Sequence, residues 1–152
     1  MSDFKWETPG TLTTSNSTGL NSLVDNDGNL SGTIDNTSSL NDTMDLELVL
    51  GSLDLSAQDA PAVWVYLIPS ADGTNFDDSD ETTTEALKPP ISQVCASMTV
   101  RPGSGSEAKR RTVLEIPIQP RKFKLLLVNR TGVTFASSGN TLKYSLYNSQ
   151  IV

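Results

Sequence analysis

The sequence predicts an all-β protein, an antiparallel β-sandwich of the jelly-roll-like kind with six to eight strands and an extended N-terminal arm. Three observations predict this class. Apolar and polar residues alternate in several short runs, which is the period of half-buried strands. The 8 Pro and 10 Gly, with many Ser, Thr and Asn, divide the chain into short pieces. No window of about 11 residues or more shows a helical period.

The length of 152 residues is that of one domain with a leader. Residues 1–42 form the predicted arm, because they are polar and hold too few apolar residues to fold alone. Within the arm, the turn-forming run Asn26–Asn29 predicts a weak hairpin or an edge strand. Residues 43–152 form the predicted β-sandwich domain.

The sandwich domain carries six segments with strand character. The run 62–68 is apolar on both faces, which indicates a central strand whose outer face is covered by a loop or by a neighbouring subunit. Pro117 cannot donate to a ladder, so its strand is placed at a sheet edge, with Leu114, Ile116 and Ile118 facing inward. The predicted strands are 45–51, 62–69, 92–100, 111–118, 122–129 and 141–147.

The clearest pattern lies in the closing stretch, residues 121–148. Polar and apolar residues alternate on both of its strands, and turn-formers lie between them at Asn129–Gly132 and Ser138–Asn140. This arrangement predicts that the last two strands are antiparallel neighbours.

Charge is divided unevenly along the chain. Residues 1–87 hold 16 of the 18 acidic residues and one of the 11 bases, and residues 88–152 hold the rest. The two halves either neutralise each other within one sandwich or present one sign to a partner surface. For the second case the candidate interface bases are Arg110, Arg111, Arg121, Lys122 and Lys124. The sequence pI of about 4.4 and the lack of aromatics among these bases predict no nucleic-acid partner.

Two aromatic residues near the start complete the candidate interface. Phe4 and Trp6 are two positions apart, so in an extended chain both rings share a face. They could enter one groove of a partner while the backbone adds to a sheet edge. The alternative is a free terminal tail.

The residue types predict no enzyme, with no catalytic residue, no cofactor and no metal site. The chain has no His, which removes the commonest general base and the Ser-His and Cys-His arrangements. Acidic residues at 72–81 could offer oxygens to calcium, although their spacing does not fit the twelve-residue calcium loop. The single Cys95 is interpreted as a small buried hydrophobe rather than a reactive thiol.

Two segments, Val65–Asn75 with the letters VYLIPSADGTN and Lys122–Tyr147 with KFKLLLVNRTGVTFASSGNTLKYSLY, resemble a family of small virion proteins of tailed bacteriophages, of the capsid decoration (cement) type. The resemblance covers about residues 62–76 and 117–152. It implies a homo-oligomer, a trimer or dimer, that binds the major capsid protein on the outer surface of the virion and stabilises the head. It carries no catalytic residues.

The apolar runs and the N-terminus of the sequence predict where the protein is made. The run Ala62–Pro69 is too short to cross a bilayer and the N-terminus lacks a signal pattern, so we expect synthesis in the host cytoplasm and no membrane partner.

The first alternative function is a tail- or neck-associated receptor- or glycan-binding module. Such a module needs exposed aromatic residues, for which the candidates are Trp64, Tyr66, Phe76 and Tyr147. The second is a non-viral cytosolic interaction domain.

Overall fold

The computed structural model describes residues 4–6, 10–77, 93–105 and 107–151, with the backbone alone for Phe4–Trp6 and Ser149–Ile151. Of the acidic residues at 72–81, those beyond residue 77 lie outside the described residues. They are most of the candidate calcium ligands. The side chains of the two aromatic residues of the arm also lie outside the described residues.

The regular secondary structure of the described residues is almost all β-strand. A single 3₁₀ turn, Thr18–Leu20, is the helical element of this part of the chain. The strands are β1 (Phe4–Trp6), β2 (Thr13–Asn16), β3 (Gly28–Leu30), β4 (Ile34–Asp35), β5 (Thr43–Ser52), β6 (Ala62–Pro69), β7 (Val94–Thr99), β8 (Ala108–Pro117), β9 (Lys122–Arg130), β10 (Thr141–Tyr147) and β11 (Ser149–Ile151).

Two antiparallel sheets pack face to face, which confirms the predicted sandwich. The first sheet has the order β2-β10-β5-β8. The second has the order β3-β9-β6-β7, and β4 pairs with β9 beside β3. The strands β1 and β11 pair with each other as a separate two-stranded sheet.

The core lies between the two sheets and follows the two-residue period of the strands. In β5, Leu46, Leu48 and Leu50 point inward and are buried, while the residues between them face out. Leu125 and Leu127 of β9 approach them from the second sheet, in the same cluster. Burying a side chain of this kind contributes about 1.5–3 kcal/mol, so this layer is the main source of stability.

The six predicted strands of the sandwich domain are confirmed, with ends that differ by a few residues. The strand β6 is internal in the second sheet, as its apolar sequence predicts. The strand that holds Pro117 is β8, which lies at the edge of the first sheet. Proline is tolerated there because the outer edge needs no ladder donor.

The predicted pairing of the last two strands is wrong. The strand β9 belongs to the second sheet and β10 to the first, and residues 131–140 cross from one sheet to the other. In each strand the alternation of apolar and polar residues gives one apolar face. The apolar faces of β9 and β10 both pack into the core, each from its own sheet. Leu125 and Leu142 accordingly belong to one cluster although their strands are not paired.

From Gly10 onward the segment predicted as an arm is part of the sandwich. Its strand β2 pairs with β10, and β3 and β4 pair with β9. Leu20, Leu23 and Ile34 are buried in the core. The turn at Asn26 does not close a local hairpin, since the strand after it pairs with β9. The buried Asn residues of this segment are hydrogen-bonded: the Asn16 amide donates to Asn29, and the Asn36 amide donates to the carbonyls of Asn41 and Gln119.

A second apolar cluster covers the outer face of β6. Phe76, from the loop that follows β6, packs against it, so a loop of the same chain supplies part of the cover. This contact favours the loop over a neighbouring subunit as the cover of that face. The buried residues of the cluster are Tyr66, Ile68, Leu126 and Val128, with Leu30, Trp64 and Phe76 packed around them.

Candidate interaction surface

The segment Val65–Asn75, the first of the two quoted for the resemblance, ends in a turn after β6 that is held by several hydrogen bonds. The Asp72 carboxylate accepts the backbone N–H groups of Thr74 and Asn75, at 2.8 and 2.7 Å, and the Asn75 side-chain amide at 2.7 Å. These bonds, with one from the Ser70 hydroxyl, hold the pKa of Asp72 well below its usual range. Gly73 supplies the left-handed backbone of the turn, with φ of +77°. The acidic residue of this motif therefore has a structural role.

The second segment, Lys122–Tyr147, contains Asn129, which joins the end of β9 to the N-terminal part of the chain. Asn129 is buried, and its side-chain amide donates to the carbonyls of Leu23 at 3.0 Å and Val133 at 2.8 Å. Its side-chain oxygen accepts the backbone N–H and the hydroxyl of Thr131, at 2.9 and 2.7 Å. All four hydrogen-bonding positions of the amide are used. The Asn129 side chain therefore has a structural role, since its hydrogen bonds all go to groups of the same chain.

A similar arrangement precedes β10. Asn140 is buried and accepts the backbone N–H of Gly51 at 3.0 Å, while its amide donates to Asn21 at 2.9 Å and to the Ala136 carbonyl at 2.7 Å. Gly51 lies so close to the backbone of Ser138 that an added Cβ would overlap the carbonyl oxygen. The crossing segment is therefore held to β5 by Asn140 and by close backbone packing.

The five candidate interface bases are divided between two places. Arg110 and Arg111 are neighbours on β8, at the edge of the first sheet, and both are exposed. Arg121, Lys122 and Lys124 lie at the start of β9, in the second sheet and the crossover before it. The structure therefore does not bring the bases together into one patch.

The bases of the second group have internal partners, with one exception. The ammonium group of Lys122 is 3.6 Å from a carboxylate oxygen of Asp35, and that of Lys124 lies 4.5 Å from the centre of the Phe76 ring. Arg121 is exposed and forms no salt bridge with the described residues. This group is mostly occupied in contacts within the chain.

Ion pairs join the acidic and the basic parts of the sequence. Glu47 on β5 is 3.0 Å from the guanidinium of Arg110 and 3.9 Å from the ammonium of Lys143. Lys122 with Asp35 is the third pair of the described residues. Each pair joins an acid from residues 1–87 to a base from residues 88–152, which supports neutralisation within the fold as a large part of the charge asymmetry. Exposed pairs of this kind contribute at most about 1 kcal/mol each.

The strand β8 differs, because it combines exposed charge with an exposed apolar residue. A bulge sets Leu114 and Glu115 opposite the single residue Asp45 of β5, since the register moves from Ile116 with Met44 to Val113 with Leu46. Glu115 has φ of +60°, and its N–H donates to the Asp45 carboxylate at 2.9 Å. The bulge turns Leu114 outward, with 61% of the residue exposed.

The sequence predicted Leu114 as an inward residue, and this is wrong. One extra residue in a strand moves every later side chain to the other face, and a simple alternation cannot show it. The combination of Leu114 with Arg110 and Arg111 on one strand was therefore missed. The nearest signal in the sequence is Pro117, which already marked β8 as an edge strand.

The aromatic residues that a glycan site would use are engaged inside the molecule. Arg130 lies over the ring of Trp64 at 5.0 Å, and Phe76 packs under Lys124. Tyr66 and Tyr147 are buried. The hydroxyl of Tyr147 donates to Asp45 at 3.0 Å. Of the four, Tyr66 and Tyr147 are thus buried, and Trp64 and Phe76 are half-buried with a cation over each ring.

Phe4 and Trp6 lie in β1, where the backbone register pairs Phe4 with Ile151 and Trp6 with Ser149 of β11. The ends of the chain are thus next to each other. Whether the two rings share a groove of a partner stays a prediction, because their side chains lie outside the described residues.

A cleft of about 570 Å³ opens where β7 and β8 diverge, lined by Leu67, Ile116 and Phe123 among others. Cys95 borders it, is partly buried, and has its pKa raised to about 12 by burial. Among the described residues no group of three or more His, Cys, Asp or Glu is placed to hold a metal ion. These residues also contain no helix that is long and apolar enough to span a membrane.

Comparison with models of known protein families and with curated proteins gives no match for this chain.

Proposed function

We propose that the chain is a bacteriophage capsid decoration protein, which binds the outer surface of the shell of major capsid protein and stabilises the head. The observation that carries the proposal is the exposed basic strip along the edge of β8, where Arg110 and Arg111 project to opposite faces of the sheet and Leu114 is exposed three residues further along. A strip of this kind steers docking onto an acidic surface and adds an apolar contact. The resemblance of residues 62–76 and 117–152 to small virion proteins points to the capsid as that surface.

The fold suits a protein that works by binding alone. A buried pair, Asn16 with Asn29, joins its two sheets, and the buried Asn129 and Asn140, both within residues 117–152, hold the segment that crosses between the sheets. A rigid body loses little conformational freedom on docking, which lowers the cost of binding. If it binds the assembled shell more tightly than the free subunits, it stabilises the shell by mass action.

The proposed assembly is a dimer or trimer of this chain. Several β8 strips carried by one oligomer would engage neighbouring capsid subunits together. The second contact is then intramolecular, so the oligomer binds more tightly than one copy does. The internal contacts of Trp64 and Phe76 favour this function over a glycan-binding tail module.

The test uses shells that lack the protein and a pair of charge variants. Arg110→Glu with Arg111→Glu should reduce co-sedimentation with shells by at least about tenfold, which corresponds to about 1.4 kcal/mol. The matched control, Arg101→Glu with Arg121→Glu, makes the same charge change at two other exposed positions and should keep most of the binding. An equal loss in both would assign the effect to net charge, and no binding by the unmodified protein would contradict the function.

A further inference from the structure

The outer edge of β8 offers backbone groups as well as side chains. Among the described strands, β8 pairs only with β5, and the pairing is regular from Lys109 to Val113 before the bulge. An edge strand has a row of N–H and C=O groups without ladder partners. The run Lys109–Val113 is therefore long enough to accept another short strand.

The bases of this run lie on both faces of the sheet. Lys109 and Arg111 are opposite Leu50 and Leu48, whose side chains point to the core, while Arg110 is opposite Val49 on the other face. Arg111 is exposed although it lies on the core side of the sheet. A strand added here would meet positive charge above and below its backbone.

A second copy of the chain fits this edge poorly. An antiparallel copy that covered the whole run would be centred on Arg111, with the two Arg111 residues directly opposite each other. Like charges in opposite positions destabilise a pair of strands. The charges of this edge thus disfavour pairing with its own copy and with other basic strands.

We propose that the edge Lys109–Val113 binds an extended acidic segment of a partner protein by strand addition, and that this partner, on the basis of the proposed function, is the major capsid protein. Backbone hydrogen bonds would hold the segment, and its carboxylates would lie against the three bases. Arg111 forms no salt bridge with the described residues. Arg110 gives one N–H to Glu47, and its side chain is still 68% exposed.

The bulge sets the length of the added strand. At Leu114 and Glu115 the register shifts by one residue, and the N–H of Glu115 is already bonded to Asp45. A ladder on the outer edge ends where the backbone bends. The exposed Leu114 then provides an apolar contact for the residue that leaves the strand.

The first test uses the full, isotope-labelled chain with two short synthetic peptides. In one a run of Glu is flanked by Val and Thr, and in the other Lys replaces Glu. Alternate N–H groups of an antiparallel strand point away from its existing partner. With the Glu peptide, the amides of Lys109–Val113 that point away from β5 should become protected from hydrogen exchange, and Arg110→Glu with Arg111→Glu should weaken the peptide's Kd by at least about tenfold. Changes at the Arg side chains without amide protection, or equal binding of the Lys peptide, would overturn strand addition.

The second test measures amide exchange of the protein bound to shells. Protection gained in the bound state by the amides of Lys109–Val113 that point away from β5 supports strand addition on the capsid. Binding to shells with these amides unprotected overturns the inference and leaves the decoration function in place. Protection by the Glu peptide in a protein that does not bind shells overturns the function and leaves strand addition standing.

Discussion

Asn16 and Asn29 join the two sheets of the sandwich through their side chains. The amide of Asn16, on β2, donates to the side-chain oxygen of Asn29 at 2.7 Å and to its backbone carbonyl at 3.1 Å, on β3. Both residues are buried. One side of the sandwich is closed by this pair, while the opposite side, between β7 and β8, is left open as a cleft.

Replacement of Asn16 by Ala should lower the free energy of unfolding by about 1–3 kcal/mol. The buried oxygens of Asn29 would lose their donor, and Ala offers none. Thermal or denaturant unfolding measures the loss. Thr13→Ala, at an exposed position of the same strand, is the control and should change stability little. A similar small effect for both variants would show that the pair does not close the sandwich.

Deletion of residues 1–24 should unfold or strongly destabilise the domain, because it removes β2 together with the buried residues Leu20 and Leu23. Deletion of residues 1–9 should leave most of the stability, since it removes only β1 from a two-stranded sheet, and such sheets are marginal by themselves. Circular dichroism during heating compares the two. Equal stability of the two truncated proteins would contradict the placement of β2 in the first sheet.

Replacement of Asn129 by Ala should cost more than about 2 kcal/mol, because the carbonyls of Leu23 and Val133 and the groups of Thr131 all lose a partner. Asn129→Asp should be worse at neutral pH, since a carboxylate would face two carbonyl oxygens, and should recover partly in acid. Ser137→Ala, in the exposed part of the same crossing segment, is the control. Denaturant unfolding at two pH values checks the order. An Asp variant as stable as the native protein would contradict the role of the Asn129 amide as a donor to two carbonyls.

The stability of the protein should fall between about pH 10 and 12 partly through Tyr147. Burial raises the pKa of Tyr147 to about 12, with contributions from its bond to Asp45 and from the charges of Asp45, Glu115 and Asp42. Since the folded pKa lies above the unfolded one, the stabilisation is complete below pH 10 and is lost as the pH rises toward 12.

The Tyr147→Phe variant isolates this contribution. It should be less sensitive to alkali over that range than the native protein, while the other two tyrosines titrate in both. Unfolding curves at stepped pH, with a spectroscopic titration of the tyrosines, measure the difference. Identical alkaline curves for the two proteins would mean that Tyr147 ionises freely.

The sequence predicts the sandwich and its six main strands because each strand carries its own two-residue period. It does not predict which strands pair. β9 and β10 show equivalent patterns and face the same core from different sheets, a distinction that the long crossing segment decides. The leader was misjudged for another reason. Its strands hold few apolar residues and include buried Asn residues such as Asn16 and Asn29, and a buried Asn cannot be told in a sequence from an Asn in a loop.

The candidate surface was predicted only in part. Arg110 and Arg111 are neighbours in sequence, so their proximity on one exposed strand was assured. The bases Lys122 and Lys124 were grouped with them by charge alone. Both lie on β9 in the other sheet, where Lys122 pairs with Asp35 of β4 and Lys124 lies over the ring of Phe76 in the loop after β6. Leu114 joined the surface through a bulge, which the alternation of the sequence conceals.

The salt dependence of shell binding separates docking by β8 from a role of the charges inside the fold. Binding should weaken as salt rises, because the exposed guanidinium groups of Arg110 and Arg111 are screened. Sedimentation with shells at low and high salt measures it. Affinity that does not change with salt would assign the charge asymmetry to internal neutralisation.

The most direct test of the decoration function is cryo-electron microscopy of the virion, with this chain's density located and its copies counted. The function predicts many copies on the outer surface of the head, in a fixed ratio to the capsid subunits, with Arg110 and Arg111 of β8 facing the capsid protein. A few copies at the tail or neck, or no density on the head, would contradict it.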